Sequence, residues 1–96
     1  MIRGLIVNAD DGNLTAGVFE AVIDAHDRGA VSSTTLIMNR PWTPFMRREL
    51  LARPSLGAGV HLNVTLGAPL AAGGKSLTGR NGDFRRPRDY DRDPPL

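Results

Sequence analysis

Hydrophobic and polar positions at the start of the chain predict a strand followed by a helix. The apolar run Leu5-Ile6-Val7 passes directly into Asn8-Ala9-Asp10, a pattern typical of a buried parallel strand that ends at a site. Thr15 is a suitable N-cap, a helix is predicted over residues 16–28, and Gly29 supplies its C-cap. The predicted buried stripe of this helix consists of Phe19, Val22 and Ile23.

The alternation of strand and helix then repeats. Residues 32–39 are rich in β-branched side chains and predict a second strand. Thr43 followed by Pro44 is a helix start signal, and this helix is predicted to end at Arg53-Pro54. Its predicted buried stripe consists of Phe45, Met46 and Leu50. A third strand is predicted over residues 57–65, so the chain reads as βαβ units of a parallel α/β sheet with right-handed crossovers.

The predicted domain organisation has two parts. Residues 1–70 form the βαβαβ part, and residues 71–96 are a Gly/Arg/Asp/Pro-rich loop or tail in which no further element is predicted. Three strands alone leave open sheet edges and incompletely covered faces. Closed (β/α) barrels run to about 250 residues, so the pattern predicts the first units of an incomplete barrel.

Composition and charge narrow the range of partners. The chain has 96 residues, is 41% hydrophobic and 23% charged, and carries a formal net charge of only +2 despite a pI of about 9.9. Arginines and aspartates are interspersed from Arg80 onward, which disfavours a nucleic-acid partner. No apolar run approaches the roughly 20 residues of a membrane span, and the start has no signal-peptide pattern, so a cytoplasmic location without membrane contact is expected.

The first strand ends in two carboxylates, Asp10 and Asp11. Catalytic groups of parallel α/β proteins lie at the carboxyl ends of strands, where one carboxylate can bind a hard divalent ion while the other accepts a proton from water. The alternative is a turn or helix cap, because Asp11-Gly12 is also a common turn signal. The chain has no cysteine, so a bound metal would need oxygen and imidazole ligands.

The third strand places His61 on its polar face. Val60, Leu62 and Val64 alternate with polar or small residues and are predicted to face the helices. His61 would then project toward the end of the first strand, with Asn63 as a candidate partner for its second ring nitrogen. The alternative is a hydrogen-bonded structural histidine. His26, near the end of the first helix, is assigned a packing or capping role.

Three segments together resemble the YdjC-like (ChbG/HpnK) carbohydrate deacetylases. They are residues 5–11, 33–39 and 59–65, which occur in the family's order, and the resemblance extends from residue 4 to about residue 84. It implies a distorted seven- or eight-stranded (β/α) barrel that removes the acetyl group of an N-acetylated sugar, with a divalent metal held by one Asp and two His. By position, Asp11 and His61 would be metal ligands and Asp10 the general base that activates the attacking water.

The resemblance implies Mg²⁺ as the metal, with Zn²⁺ as the alternative. The family typically has Phe-Gly where this chain has Gly12-Asn13, and its second histidine lies farther along the barrel than residue 96. The 96-residue chain is therefore expected to be an inactive N-terminal fragment. The alternative function is a non-catalytic carbohydrate- or protein-binding remnant that completes its fold as a homo-oligomer.

Overall fold

Three parallel strands alternate with helices in the computed structural model, which describes residue 1 and residues 3–92. The elements are β1 (Asn8–Ala9), α1 (Ala16–Asp27), β2 (Ser33–Ile37), α2 (Pro44–Leu51), β3 (Gly57–His61) and α3 (Pro87–Arg92). The strands form one sheet in the order β1-β2-β3, with both pairs parallel. The prediction of an α/β class with a parallel sheet is confirmed. None of the described helices is long and apolar enough to cross a membrane.

Both predicted helices begin at the expected caps. The Thr15 hydroxyl accepts a hydrogen bond from the Val18 N–H, and the Thr43 hydroxyl accepts one from the Met46 N–H. Gly29 follows α1 with a φ of 79°, a left-handed conformation that glycine adopts without strain and that ends the helix. Pro44 occupies the first position of α2, where its missing N–H costs nothing.

The hydrophobic core lies between the two helices and the approach to β3. Its buried members are Phe19, Ile23, Met46 and Leu56, with Val31 and Leu50 partly buried against them. Phe45, predicted to be buried, is instead 38% exposed. Its ring meets the Phe19 ring edge-on at 6.1 Å between centroids, and the Arg48 guanidinium lies 5.4 Å from its centroid. Phe45 therefore packs at the edge of the core, with part of its surface in solvent.

Arg53 joins the ends of the two helices. Its guanidinium donates two hydrogen bonds to the Asp27 carboxylate, at 2.7 and 2.6 Å, and a third to the Glu49 carboxylate at 2.8 Å. These hydrogen bonds hold the pKa of both carboxyl groups below their ordinary values, and the same contacts raise the pKa of Arg53. These charged hydrogen bonds therefore connect the end of α1 to the end of α2 outside the apolar core.

The outer strands differ from the prediction in burial. Leu5 and Ile6, predicted in a buried strand, are 79% and 80% exposed, because β1 is an edge strand that pairs with β2 only at Asn8 and Ala9. Val60, predicted to face the helices, is also exposed on β3, the other edge of the sheet. Within the described residues nothing covers these positions, so their apolar side chains remain in solvent.

Residues 71–92 contain structure where no element was predicted. The chain divides into two compact units, Met1–His61 and Leu62–Leu96. The second contains an antiparallel bridge between Thr78 and Phe84, and the short helix α3. The Arg86 N–H donates to the Asp89 carboxylate at 2.9 Å, which caps that helix. The boundary predicted at residue 70 remains a prediction, and residues 93–96 of the predicted tail lie outside the described residues.

The third strand also ends earlier than predicted, at His61 instead of Thr65. The side-chain oxygen of Asn63 accepts hydrogen bonds from the N–H groups of Thr65 and Leu66, and its amide donates to the Leu66 carbonyl. This side chain closes a turn and so replaces the strand pairing that the alternating pattern predicted. The contact between Asn63 and His61 remains a prediction.

Candidate functional site

One face of the sheet carries a row of polar side chains. The register places Asn8 beside Ser33, Thr35 beside Gly59, and Ile37 beside His61. Because side chains alternate along each strand, Asn8, Ser33, Thr35 and His61 share this face. A Cβ on Gly59 would approach only the Thr35 methyl carbon within 4 Å, at 3.8 Å, so the surface beside His61 is open.

Asp10 follows β1 and lies at one end of this row. Its Oδ1 accepts hydrogen bonds from the Asn8 amide at 2.7 Å and from the Thr35 hydroxyl at 2.9 Å. The Asn8 side-chain amide is itself oriented by Ser33, whose hydroxyl donates to Asn8 Oδ1 at 2.7 Å. Two donors on one oxygen fix the plane of the carboxylate, and the other oxygen, Oδ2, has no described protein partner. That oxygen can accept a proton.

The backbone turns at Asp11, directly after Asp10. Its backbone has a φ of 56°, in the left-handed region that residues other than glycine rarely adopt. The next residue must be glycine for a steric reason, since a Cβ on Gly12 would collide with the Thr34 hydroxyl. The Gly12 N–H donates to the Thr35 carbonyl at 2.8 Å, which holds the reversed loop against β2.

Asn13 fastens the same loop to the end of β2. Its side chain is 2% exposed, donates to the Ile37 carbonyl at 2.9 Å and accepts from the Ile37 N–H at 2.7 Å. The side-chain amide therefore pairs with the strand as a neighbouring backbone would. Gly12 and Asn13 thus form a defined loop beside the two carboxylates.

His61 completes the cluster from β3. Its Nδ1 lies 3.0 Å from Asp11 Oδ1 and 3.1 Å from the Thr35 hydroxyl oxygen. The ring is partly buried, and the Asp11 side chain is about half exposed. The structure therefore brings Asp10, Asp11 and His61, the three site residues predicted from the sequence, into one cluster.

The Asp11 and His61 donor atoms fit a divalent cation. Ligand atoms about 2.1 Å from a small cation and at right angles to each other are roughly 3 Å apart, and the observed separation is 3.0 Å. A carboxylate oxygen suits Mg²⁺ or Zn²⁺, and an imidazole nitrogen suits Zn²⁺ better than Mg²⁺. In the part of the chain that the structure describes, no group of three or more His, Cys, Asp or Glu side chains is placed to hold a metal ion. The cluster thus supplies two donors.

Thr35 is the site residue that the sequence prediction missed, because it was treated only as a β-branched strand residue. The available signal was the position of Ser33 and Thr35 two residues apart, which places both hydroxyls on one face. His26, in contrast, has the structural role that was predicted. Its ring nitrogens lie 2.8 Å from the Val31 carbonyl oxygen and 3.1 Å from the Ser55 hydroxyl.

Known proteins resemble nearly the whole chain. The sequence profile of the YdjC-like protein family matches residues 4–94. A carbohydrate deacetylase of Halalkalibacterium halodurans is 41% identical over 86 residues, which are 90% of this chain and 36% of that protein. A carbohydrate deacetylase of Oceanobacillus iheyensis is 41% identical over 90 residues, 93% of this chain and 39% of that protein.

A solved structure shows the same arrangement of elements. It is a crystal structure of an Enterococcus faecalis protein described as a cellobiose-phosphate cleavage protein, which is 33% identical and superposes with a TM-score of 0.79. The superposition covers 91% of this chain and 35% of the Enterococcus protein. The chain therefore spans little more than a third of the length of the relatives it matches.

Proposed function

Because the chain belongs to the YdjC-like protein family, we propose that it is the N-terminal part of a metal-dependent hydrolase that removes the acetyl group of an N-acetylated sugar. The observation that carries this proposal is the 3.0 Å approach of Asp11 Oδ1 to His61 Nδ1, with the Asp10 carboxylate beside them. The relatives named carbohydrate deacetylases support the reaction class and a carbohydrate substrate. For that substrate we propose a chitooligosaccharide or related glycan, as the sequence resemblance implies. The three parallel strands are, in this proposal, the first strands of a seven- or eight-stranded (β/α) barrel.

Asp11 and His61 would hold the divalent cation, for which we propose Mg²⁺, with Zn²⁺ as the alternative. A bound cation supplies Lewis acidity, which polarises an amide carbonyl and lowers the pKa of water. The left-handed turn at Asp11 and the hydrogen bonds of Gly12 and Asn13 keep the Asp11 carboxylate pointed at His61. The ligand pair is thus held by the sheet and does not depend on a free loop.

Asp10 is proposed as the general base. The Asn8 amide and the Thr35 hydroxyl both bind its Oδ1, so the second oxygen is held at a fixed position from which it can take a proton from the attacking water. A carboxylate that is fixed before the reaction loses no freedom in the transition state. The same carboxylic acid could then return the proton to the departing amine.

We propose that this chain by itself binds a cation weakly and turns over little substrate. It supplies two protein donors, and the edges of β1 and β3 are open in the described residues. Metal affinity falls when ligands are missing, and catalysis needs a closed and preorganised site. A cytoplasmic location and the absence of a nucleic-acid partner remain predictions from the sequence.

Calorimetric titration with Mg²⁺ and Zn²⁺ tests the proposed ligand pair in the chain itself. We expect Asp11→Asn and His61→Gln each to lower the affinity by more than about tenfold, since even loss of an outer ligand partner costs that much. Asn tolerates the left-handed backbone of position 11, so the first substitution removes charge without adding strain. Asp24→Asn, which removes a surface carboxylate of α1 that pairs with Arg28, is the matched control and should bind as the wild type does. Equal binding by the wild type and His61→Gln would refute the ligand assignment.

The second candidate is a non-catalytic binding remnant that completes its fold as a homo-oligomer. The specific observation in its favour is the exposure of Leu5 and Ile6 beside the unpaired edge of β1. Such a protein needs no cation, so the titration distinguishes the candidates. Only the hydrolase proposal predicts that the wild type releases or absorbs heat on cation binding and that both Asp11→Asn and His61→Gln lose this heat.

A further inference from the structure

Thr35 contacts both functional parts of the site. Its hydroxyl lies 2.9 Å from Asp10 Oδ1, on the proposed base, and 3.1 Å from His61 Nδ1, on the proposed metal ligand. Among the described residues, no other side chain forms hydrogen bonds with both Asp10 and His61. The hydroxyl projects from the middle of β2, where Thr35 pairs with Gly59 of β3 and its carbonyl accepts from the Gly12 N–H of the loop after β1.

The number of hydrogens available decides the direction of each bond. An ionised carboxylate only accepts, so the hydrogen between Thr35 and Asp10 belongs to the Thr35 hydroxyl. A hydroxyl has one hydrogen, so the hydrogen between Thr35 and His61 must then belong to His61 Nδ1. The Asp11 carboxylate, 3.0 Å from the same nitrogen, also requires a hydrogen there.

One contact would favour a His61 Nδ1 without hydrogen. The Asp11 N–H lies 3.4 Å from His61 Nδ1 and would need that nitrogen to be bare. This distance exceeds the 2.7–3.2 Å range of ordinary N–H hydrogen bonds, whereas the contacts to Thr35 and the Asp11 carboxylate fall within it. The two shorter contacts therefore determine the hydrogen position in the metal-free chain.

From these contacts, we propose that Thr35 is a positioning residue whose hydroxyl links the Asp10 carboxylate to the His61 ring in one hydrogen-bonded array. The inference rests on the proposed function, because it assumes that Asp10 and His61 act in the same reaction. Thr35 donates to Asp10 and, before a cation binds, also accepts from His61 Nδ1, so it holds the base and keeps the ring turned toward Asp11. In the metal-free chain the ring carries its hydrogen on Nδ1, where a cation shared with Asp11 would replace it.

Three variants separate this role from a structural one. Thr35→Val removes the hydroxyl and keeps the shape, and Thr35→Ser restores a hydroxyl at the same position. Thr43→Val is the matched control, because it removes a hydroxyl that caps α2 away from the site. We expect Thr35→Val to change Zn²⁺ affinity by less than the roughly 10–100-fold that a persistent outer partner of the ligand contributes, because a cation on His61 Nδ1 displaces the hydrogen that joins it to Thr35. Thr43→Val should bind as the wild type does while unfolding at lower denaturant concentration.

A second readout does not depend on metal or activity. Ring ¹⁵N NMR of the wild-type chain reports which nitrogen of His61 carries hydrogen, and we expect Nδ1. In Thr35→Val the Asp11 carboxylate remains as an acceptor for that hydrogen, so we expect it to stay on Nδ1 with a shifted ring signal, which Thr35→Ser should restore. A wild-type ring with a bare Nδ1 would overturn the proposal, as would a Thr35→Val protein whose ring signals are unchanged. If the wild type binds no cation, the proposed function fails, whereas the ring signals still decide the role of Thr35.

Discussion

A single glycine determines where the Asp11 carboxylate can lie. Gly12 passes so close to β2 that a Cβ at this position would overlap the Thr34 hydroxyl, which itself donates to the Ala9 carbonyl at 2.8 Å. This contact keeps the loop after β1 close to β2. Asp11, with its left-handed backbone, lies one residue before Gly12. The geometry of the ligand pair thus depends on a residue that has no side chain.

Substitution of this glycine should therefore disturb both stability and metal binding. We expect Gly12→Ala to destabilise the fold by about 1–3 kcal/mol, the usual cost of overpacking, because either the loop or Thr34 must move. Urea unfolding measures the loss. Gly17→Ala is the control, since its Cβ would meet nothing closer than 4.0 Å and alanine should stabilise α1 by about 0.5–1 kcal/mol. Equal stability of Gly12→Ala and the wild type would contradict the steric argument.

The sequence was sufficient to predict which carboxylates and which histidine meet, but not how they are held. Asp10, Asp11 and His61 were found because the ends of parallel strands lie at one edge of a sheet. The bridging hydroxyl of Thr35 was not found, because Thr35 was treated only as a β-branched strand residue. The spacing of Ser33 and Thr35 places both hydroxyls on one face, and the register with Asn8 and His61 shows that this face, and not that of Thr34, carries the site.

The elements of secondary structure were predictable where their signal was local. Both main helices begin at the predicted caps, since a Thr hydroxyl and the following N–H groups lie within a few residues of each other. The end of β3 was not predictable from alternation, because the turn formed by Asn63 replaces strand pairing without changing the pattern. The helix α3 was missed because a side-chain cap at Asp89, and not an apolar stripe, defines it.

The pairing of α1 with α2 through Arg53 should depend on pH. The lowered pKa values of Asp27 and Glu49 mean that their contribution is complete above the ordinary carboxyl values of 3.8 and 4.5 and is lost as the pH falls through the lowered values. Arg53→Met should thus unfold at lower urea concentration than the wild type at pH 7, and the difference should shrink at pH 3.

The control for this comparison is Arg28→Met. Arg28 pairs with Asp24 on the exposed surface of α1, where an ion pair contributes little at any pH. We expect it to unfold close to the wild type at both pH values. A difference between Arg53→Met and the wild type that stays constant from pH 7 to pH 3 would show that packing of the arginine stem, and not its charge, joins the helices.

The described part of the chain carries the candidate cluster on a three-stranded sheet. The chain matches its curated relatives over 36% and 39% of their lengths, and in the described residues the outer edges of β1 and β3 have no partner strand. The cluster itself needs neither edge, because Asp10, Asp11 and His61 are positioned by the three strands and the loop after β1. The chemistry can therefore be tested by supplying the missing part from a relative.

The most direct measurement uses a chimera in which this chain replaces the matching part of the Halalkalibacterium halodurans carbohydrate deacetylase, with acetate release from diacetylchitobiose as the readout. We predict divalent-cation-dependent release that falls by about 10²–10⁴-fold in Asp10→Asn with bound metal unchanged, because a base is lost and the ligands are kept. His61→Gln should lose both metal and activity. A chimera whose rate of acetate release is the same with Asp10→Asn or His61→Gln as without them would contradict the assignment of this cluster as the active site.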